Sequence, residues 1–175
     1  MQADKSKLGQ VHIFWGNGKG KTTSALGTAL RAVGNGYSVH LVQFMTDGAS
    51  SLEQQTPGEI LALQKFETFS FKRFGTGDWV TGKKPKDAHI EKVNEAFEYL
   101  QQSLKNESYD IIIADEILYA IQLSLLEENK VIGLIKNKPK NKELILTGSH
   151  IPFPKIFELA DLVTEIKKIK HPYDK

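Results

Sequence analysis

The stretch "GNGKGKTT", residues 16–23, decides the fold of this chain. It follows a short apolar run, QVHIFW at residues 10–15, and leads into KTTSALGTALRAVG at residues 21–34, where apolar residues recur at helical spacing. A glycine-rich turn between a strand and a helix directs backbone N–H groups and the positive end of the helix toward one point. We therefore expect a loop that binds a polyphosphate. The buried face of the helix is predicted to comprise Ala25, Leu26, Ala29, Leu30 and Val33.

The loop departs from the usual phosphate-loop pattern in one position. That pattern places its first glycine where this chain has Trp15, and the nearest glycine is one residue later. We therefore expect a variant loop in which Lys21 reaches the outer phosphates and the Thr22 hydroxyl ligates magnesium. The residues predicted to bind phosphate are Gly16, Asn17, Gly18, Lys19, Gly20, Lys21, Thr22 and Thr23.

The rest of the chain alternates strand and helix patterns. Near-continuous apolar runs predict further parallel strands at residues 38–44, 67–73, 109–116, 143–149 and 161–169. Helical spacing predicts helices at residues 53–63, 87–106, 127–138 and 151–160. This order predicts a single α/β domain over residues 1–175 of the P-loop NTPase-like, RecA-type class, with a mostly parallel sheet and helices on both faces. Ligands of such sheets bind at the carboxyl ends of the strands.

The strand DIIIADE, residues 110–116, ends in two acids, Asp115 and Glu116. One carboxylate can hold magnesium or its water while the other orients a nucleophile or supports the first. Thr22, Asp115 and Glu116 are therefore candidates for a metal site, and the residues alone leave open which of the two acids holds the metal. The alternative is a pair of solvated acids at a strand end.

Composition limits the function classes. The absence of cysteine excludes a disulfide framework, a thiolate metal site and a cysteine nucleophile. A formal charge of +2 is too small to indicate nucleic acid, and the apolar runs are too short and too often charged for a membrane span. Residues 1–10 lack a signal-peptide core, so we expect a cytoplasmic protein with neither nucleic acid nor membrane as a partner. Arginine occurs only at Arg31 and Arg73, which makes both worth attention.

Four segments resemble the ATP:corrinoid (cob(I)alamin) adenosyltransferases of the P-loop class. They are residues 16–44, YDIIIADEILYAI at 109–121, LILTGS at 144–149 and ADLVTEIKKIKHPYD at 160–174. The resemblance implies transfer of the 5′-deoxyadenosyl group of ATP to the Co(I) centre of a corrinoid, with release of triphosphate. The attacked atom would be the ribose C5′ and the nucleophile would be cobalt, so the protein need supply no nucleophilic side chain.

The resemblance also implies roles for particular residues. Thr22 and Glu116 would hold the magnesium with Asp115 behind them, and Lys21 and Glu116 would be the catalytic residues. Arg31 matches a family arginine on the first helix, and the aromatic residues that press on the corrinoid would here be Phe74 and Trp79. Asp78 stands where the family has a phenylalanine, Ser149 replaces the arginine of a TGR sequence, and the chain ends at Lys175 where relatives continue. Part of the corrinoid lid is then missing or supplied by a second subunit. Two histidines near strand ends are further ligand candidates, His150 and His171.

The implied partners are ATP with Mg²⁺, a corrinoid, a reductase that supplies Co(I), and a second copy of the chain in a homodimer. Two other functions stay open from the residues alone. A P-loop kinase of a small metabolite such as a nucleoside would use Asp115 or Glu116 as base and would form ADP. A nucleotide or corrinoid carrier would bind its ligand without turnover. The choice between complete cobalamin and a precursor corrinoid also stays open.

Overall fold

One parallel sheet forms the centre of the molecule. The computed structural model describes residues 4–46, 56–76 and 87–172. Among these residues six strands pair in the order β3-β2-β4-β5-β1-β6, and every pair is parallel. The carboxyl ends of all six strands therefore lie at the same edge of the sheet. The strands are β1 Val11–Trp15, β2 Val39–Gln43, β3 Phe69–Arg73, β4 Ile111–Asp115, β5 Glu143–Thr147 and β6 Leu162–Glu165.

Helices cover both faces of the sheet. They are α1 Lys21–Gly34, α2 Gly58–Leu63, α3 Asp87–Lys105, α4 Ile117–Gln122, α5 Glu128–Lys136 and α6 Pro154–Phe157, with a 3₁₀ turn at Lys5–Lys7. Buried side chains of α1 and α2 form one core cluster with the sheet, and those of α3 to α6 form the other. The predicted α/β architecture with a parallel sheet is confirmed.

The burial of each strand follows its place in the sheet. Every residue of the inner strands β2 and β4 is buried, which explains their near-continuous apolar sequences. All four residues of β6 are exposed, since β6 lies at one edge and pairs only with β1 in the described sheet. None of the helices in the described ranges is long and apolar enough to cross a membrane.

The helix predicted at residues 151–160 is limited to Pro154–Phe157, and three further local predictions differ from the structure. Leu30 is 53% exposed and Ala32 is buried in its place, because Leu30 points about 100° away from Ala29 on the helix. The last strand ends at Glu165 rather than at residue 169, because Ile166 turns to pack on the glycine loop. Helix α4 was not predicted, since its sequence ILYAIQ is apolar almost all round and gives no helical period.

Candidate nucleotide site

The glycine loop connects β1 directly to α1. Gly16 and Gly20 have φ angles of 114° and 120°, in the region that side-chain-bearing residues rarely adopt. A Cβ atom at Gly16 would also lie 2.4 Å from the carbonyl oxygen of Ile166. The backbone of the segment after β6 thus approaches the loop too closely for any other residue at this position.

The first half of the loop is bound to neighbouring segments. The N–H of Gly16 donates to the carbonyl oxygen of Ser149 at 3.0 Å, and that of Gly18 donates to Ile166 at 2.7 Å. The side-chain oxygen of Asn17 accepts from the N–H of Lys168 at 2.9 Å. Of the residues predicted to bind phosphate, Gly16, Asn17 and Gly18 therefore shape the loop in this structure.

The second half of the loop leads into the start of α1. The N–H of Ser24 donates to Gly20 at 2.8 Å, and the earlier N–H groups of a helix have no acceptor within it. The structure thus leaves residues 19–23 as the segment whose N–H groups can meet an anion. Lys19 and Thr23 are exposed, and Lys21 and Thr22 are half-buried.

Lys21 folds back over the loop. Its Nζ donates to the carbonyl oxygens of Gly16 at 2.8 Å and Gly18 at 3.1 Å. Burial lowers the pKa of Lys21, while the charges of Glu116 and Asp115 oppose that change. The ammonium group therefore lies between the loop and the two acids, where it can exchange loop carbonyls for phosphate oxygens.

Asp115 joins three strands to the start of α1. Strand β5 separates β4 from β1, yet Oδ1 of Asp115 accepts from the hydroxyl of Thr22 at 2.9 Å. The same oxygen accepts from the hydroxyl of Thr147 at 2.7 Å, and Oδ2 accepts from Nε2 of Gln43 at 2.9 Å. The carboxylate is buried and held by three donors.

Glu116 occupies a strained and partly buried position. Its φ of 65° lies in the left-handed region, which is uncommon for a residue with a side chain, and its N–H donates to the Thr147 hydroxyl at 2.9 Å. Burial raises the pKa of Glu116 to about 7, Asp115 contributes to the increase and Lys21 opposes it. Burial therefore favours the protonated form of this carboxyl more than it is favoured in an exposed glutamate.

The predicted metal residues are brought together by this arrangement. The Thr22 hydroxyl contacts Asp115, which is followed at once by Glu116, and all three offer the oxygen atoms that Mg²⁺ prefers. No group of three or more histidine, cysteine or acidic side chains that could cage a metal occurs in the described part of the chain. These residues fit a cation shared with phosphate oxygens and water, which is the usual form of a magnesium site.

The other predicted site residues lie further from the loop or outside the described ranges. Arg31 is exposed in the last turn of α1, ten residues or about 15 Å along the helix from Lys21, so the structure does not bring it to the loop. Phe74 directly follows β3 at the strand edge, and its ring centroid is 5.4 Å from that of Tyr99. Trp79, Asp78 and Lys175 lie outside the described residues.

The two candidate histidines lie at loop positions. His150 is exposed, its N–H donates to Gln122 at 2.7 Å, and its ring centroid is 5.2 Å from that of Tyr119. Burial and the charge of Lys21 lower the pKa of His150. His171 is half-buried beyond β6. Ser149 is fully buried with a φ of 66°, and its hydroxyl bonds to Ile151 and Gln122.

Sequence reasoning missed two residues of the acid network, Gln43 and Thr147. Each is the last residue of a buried strand, which is the same signal that singled out the two acids at the end of β4. A search for polar side chains within the last three residues of each predicted parallel strand would have found both.

The comparison with known families decides the identity. The family model "ATP:corrinoid adenosyltransferase BtuR/CobO/CobP" matches residues 7–175. The chain belongs to this family. The corrinoid adenosyltransferase of Escherichia coli K12 is 32% identical over 171 residues, which cover 97% of this chain and 82% of the relative. The family predicted from the resemblance is confirmed, and with it the assignment as a transferase that acts with ATP on a corrinoid.

Solved structures with low identity share the fold alone. The flagellar accessory protein FlaH of Methanocaldococcus jannaschii matches with a TM-score of 0.54 and 16% identity, over 90% of this chain and 71% of FlaH. EssC (ATPases 2 and 3) of Geobacillus thermodenitrificans matches with a TM-score of 0.51 and 13% identity over 93% of this chain, which spans 32% of that chain. The adenosyltransferase thus has a fold shared with ATPases.

Proposed function

We propose that this adenosyltransferase binds ATP at residues 19–23 and transfers its 5′-deoxyadenosyl group to the Co(I) centre of a corrinoid. The cobalt electron pair forms the Co–C5′ bond, the C5′–O bond breaks, and its electrons leave with triphosphate, so cobalt passes from Co(I) to Co(III). The observation that supports this proposal is the position of Lys21, between the loop carbonyls and the two acids at the end of β4.

The main task of the protein is to stabilise the departing triphosphate. Charge builds on the oxygen that leaves C5′ and spreads over the phosphates, and fixed N–H dipoles and an ammonium group act strongly on such charge in a partly dry site. The N–H groups at the start of α1 and Nζ of Lys21 are the donors of this kind in the loop. No general base is required, because cobalt carries no proton to remove.

We infer that Thr22, Asp115 and Glu116 hold Mg²⁺ when ATP is bound. The ion supplies neutralising charge to the phosphates. Asp115 orients the Thr22 hydroxyl, and Lys21 offsets the charge of both acids. Glu116 is held in place through its N–H, which donates to Thr147.

We propose that the corrinoid, the second substrate, approaches the site from the carboxyl end of β3. Phe74 directly follows β3 at this edge, and we propose that it and Trp79 contact the flat corrinoid. Arg31 lies far from the loop. We therefore propose that it contacts a part of the assembly other than the nucleotide. We further propose that activity depends on Mg²⁺, that a reductase supplies Co(I), and that the protein is a homodimer. We also propose a cytoplasmic location, and the absence of cysteine is compatible with it.

An anaerobic assay tests the proposal. The enzyme is mixed with Mg-ATP and chemically reduced cobalamin, the visible spectrum follows the cobalt–carbon bond, and chromatography separates triphosphate from ADP and pyrophosphate. We expect adenosylcobalamin and triphosphate in equal amounts. ADP formed without a cobalt–carbon bond would contradict the proposal and support a kinase.

A further inference from the structure

Arg73 is the last residue of β3 and lies beside the network that holds Asp115. Its Nε donates to Oε1 of Gln43 at 3.0 Å, and its Cζ lies 5.2 Å from the centroid of the Phe71 ring. Its Nη2 is buried and has no hydrogen-bond partner among the described residues. The guanidinium is half-buried, and its one buried, unused donor is costly, so the bond from Nε to Gln43 is the described hydrogen bond that fixes its place.

The chemistry of the guanidinium fixes the orientation of Gln43. A guanidinium only donates hydrogen bonds, whereas a glutamine amide has one accepting end and one donating end. Because Oε1 of Gln43 faces Arg73, Nε2 faces the other way and donates to Oδ2 of Asp115 at 2.9 Å. Rotation of the amide by half a turn would place Oε1 against the carboxylate and Nε2 against the guanidinium. Both of those contacts are repulsive.

The orientation of Gln43 affects the nucleotide site through Asp115. Gln43 is the donor on Oδ2, and Thr22 and Thr147 are the donors on Oδ1. These bonds on opposite oxygens fix the plane of the carboxylate. With an unoriented amide at Oδ2, the carboxylate loses this restraint and the Thr22 hydroxyl loses its fixed acceptor.

We propose that Arg73 is a positioning residue of the nucleotide site. Arg73 orients the Gln43 amide, the amide fixes the Asp115 carboxylate, and the carboxylate presents Thr22 to Mg-ATP. The link spans β3, β2 and β4 and ends at α1, and Arg73 itself does not contact the nucleotide. This inference rests on the proposed function only in taking Mg-ATP as the bound nucleotide.

A double-mutant cycle tests the link without any turnover. Calorimetry measures the binding of Mg-ATP, and of ATP in EDTA, to wild type, Arg73→Met, Gln43→Met and the double variant, in the absence of corrinoid. We expect each single change to weaken Mg-ATP binding by about tenfold or more, the range typical of groups that orient metal ligands. The double variant should bind no more weakly than Gln43→Met alone, and metal-free ATP should bind all four proteins alike.

Controls separate a positioning role from a structural one. Lys136→Met alters an exposed cation at the end of α5 and should leave Mg-ATP binding unchanged. Fully additive losses in the double variant, equal losses for metal-free ATP, or unchanged Mg-ATP binding in Arg73→Met would each overturn the proposal.

Gln43→Glu tests the same link if Arg73→Met does not fold, as judged by circular dichroism. Its carboxylate still accepts from Arg73 but repels Asp115, so it should bind Mg-ATP more weakly than Gln43→Met. If Gln43→Glu binds Mg-ATP as tightly as wild type does, the proposal is wrong. Because no corrinoid is present, an enzyme that shows the predicted cycle yet never forms a cobalt–carbon bond would contradict the proposed function alone.

Discussion

The carboxyl of Glu116 should make the metal-free enzyme less stable as the pH rises. Burial holds its pKa at about 7 in the folded protein, above the ordinary value of 4.5 expected when the chain unfolds. Between these values the folded state binds more protons than the unfolded state, so the free energy of unfolding falls with increasing pH. The loss begins near pH 4.5 and is complete above the folded pKa.

The structure gives the size of this effect. Each pKa unit of difference between the folded and unfolded states corresponds to about 1.4 kcal/mol. Integrated from pH 5 to pH 8, the pKa of Glu116 removes about 2–3 kcal/mol from the free energy of unfolding. Glu116→Gln keeps the shape of the side chain but cannot ionise. The stability of this variant relative to wild type should therefore rise by that amount over the same pH interval.

Urea unfolding in EDTA measures this difference at pH 5, 6, 7 and 8. Glu98→Gln, which alters an exposed carboxyl on α3, serves as the matched control and should track wild type across the range. A constant difference between Glu116→Gln and wild type at all four pH values would mean that the folded protein does not raise the pKa of the Glu116 carboxyl, and would contradict the prediction.

Three further predictions concern the loop and the corrinoid side. Lys21→Ala should lower turnover by about 100-fold or more in the spectral assay, the loss typical of one donor to developing charge; near-normal turnover would exclude the leaving-group role. Gly16→Ala should destabilise the fold by about 1–3 kcal/mol in urea unfolding, through backbone strain and the clash with Ile166. Gly27→Ala, in open space on α1, should stabilise the fold by about 0.5–1 kcal/mol. Equal effects of the two changes would contradict the close approach of the Ile166 backbone to Gly16. Phe74→Ala should weaken corrinoid binding and leave ATP binding unchanged. A loss of ATP affinity would instead indicate that Phe74 contacts the nucleotide.

Elements with a clear hydrophobic period or a conformationally special residue could be predicted from local sequence. The glycine loop, the buried strands and the helix at residues 87–105 were predictable because each satisfies its own hydrogen-bonding and burial rules. Leu30 was placed wrongly because a four-residue spacing from Leu26 fits a helical face, although the true face is centred nearer Ala29. The early end of β6 depends on a contact between Ile166 and Gly18, which are distant in sequence.

The candidate site was predictable only in part for the same reason. Lys21, Thr22, Asp115 and Glu116 are marked by their own surroundings in the sequence. The contact between Arg73 and Gln43 depends on β3 lying beside β2, and the contact between Gln43 and Asp115 depends on β2 lying beside β4. Strand order is a property of the whole sheet, so neither contact could be read from one segment.

In the proposed reaction, the loop holds triphosphate as a leaving group while C5′ is attacked. The most direct test uses Mg-ATP that carries ¹⁸O in the oxygen between C5′ and the α-phosphorus, with reduced cobalamin under anaerobic conditions. Mass spectrometry of the products then locates the label. We predict that all of it leaves with triphosphate, because the C5′–O bond breaks. Label retained in ADP, AMP or adenosine would show that a bond to phosphorus breaks instead and would contradict this account.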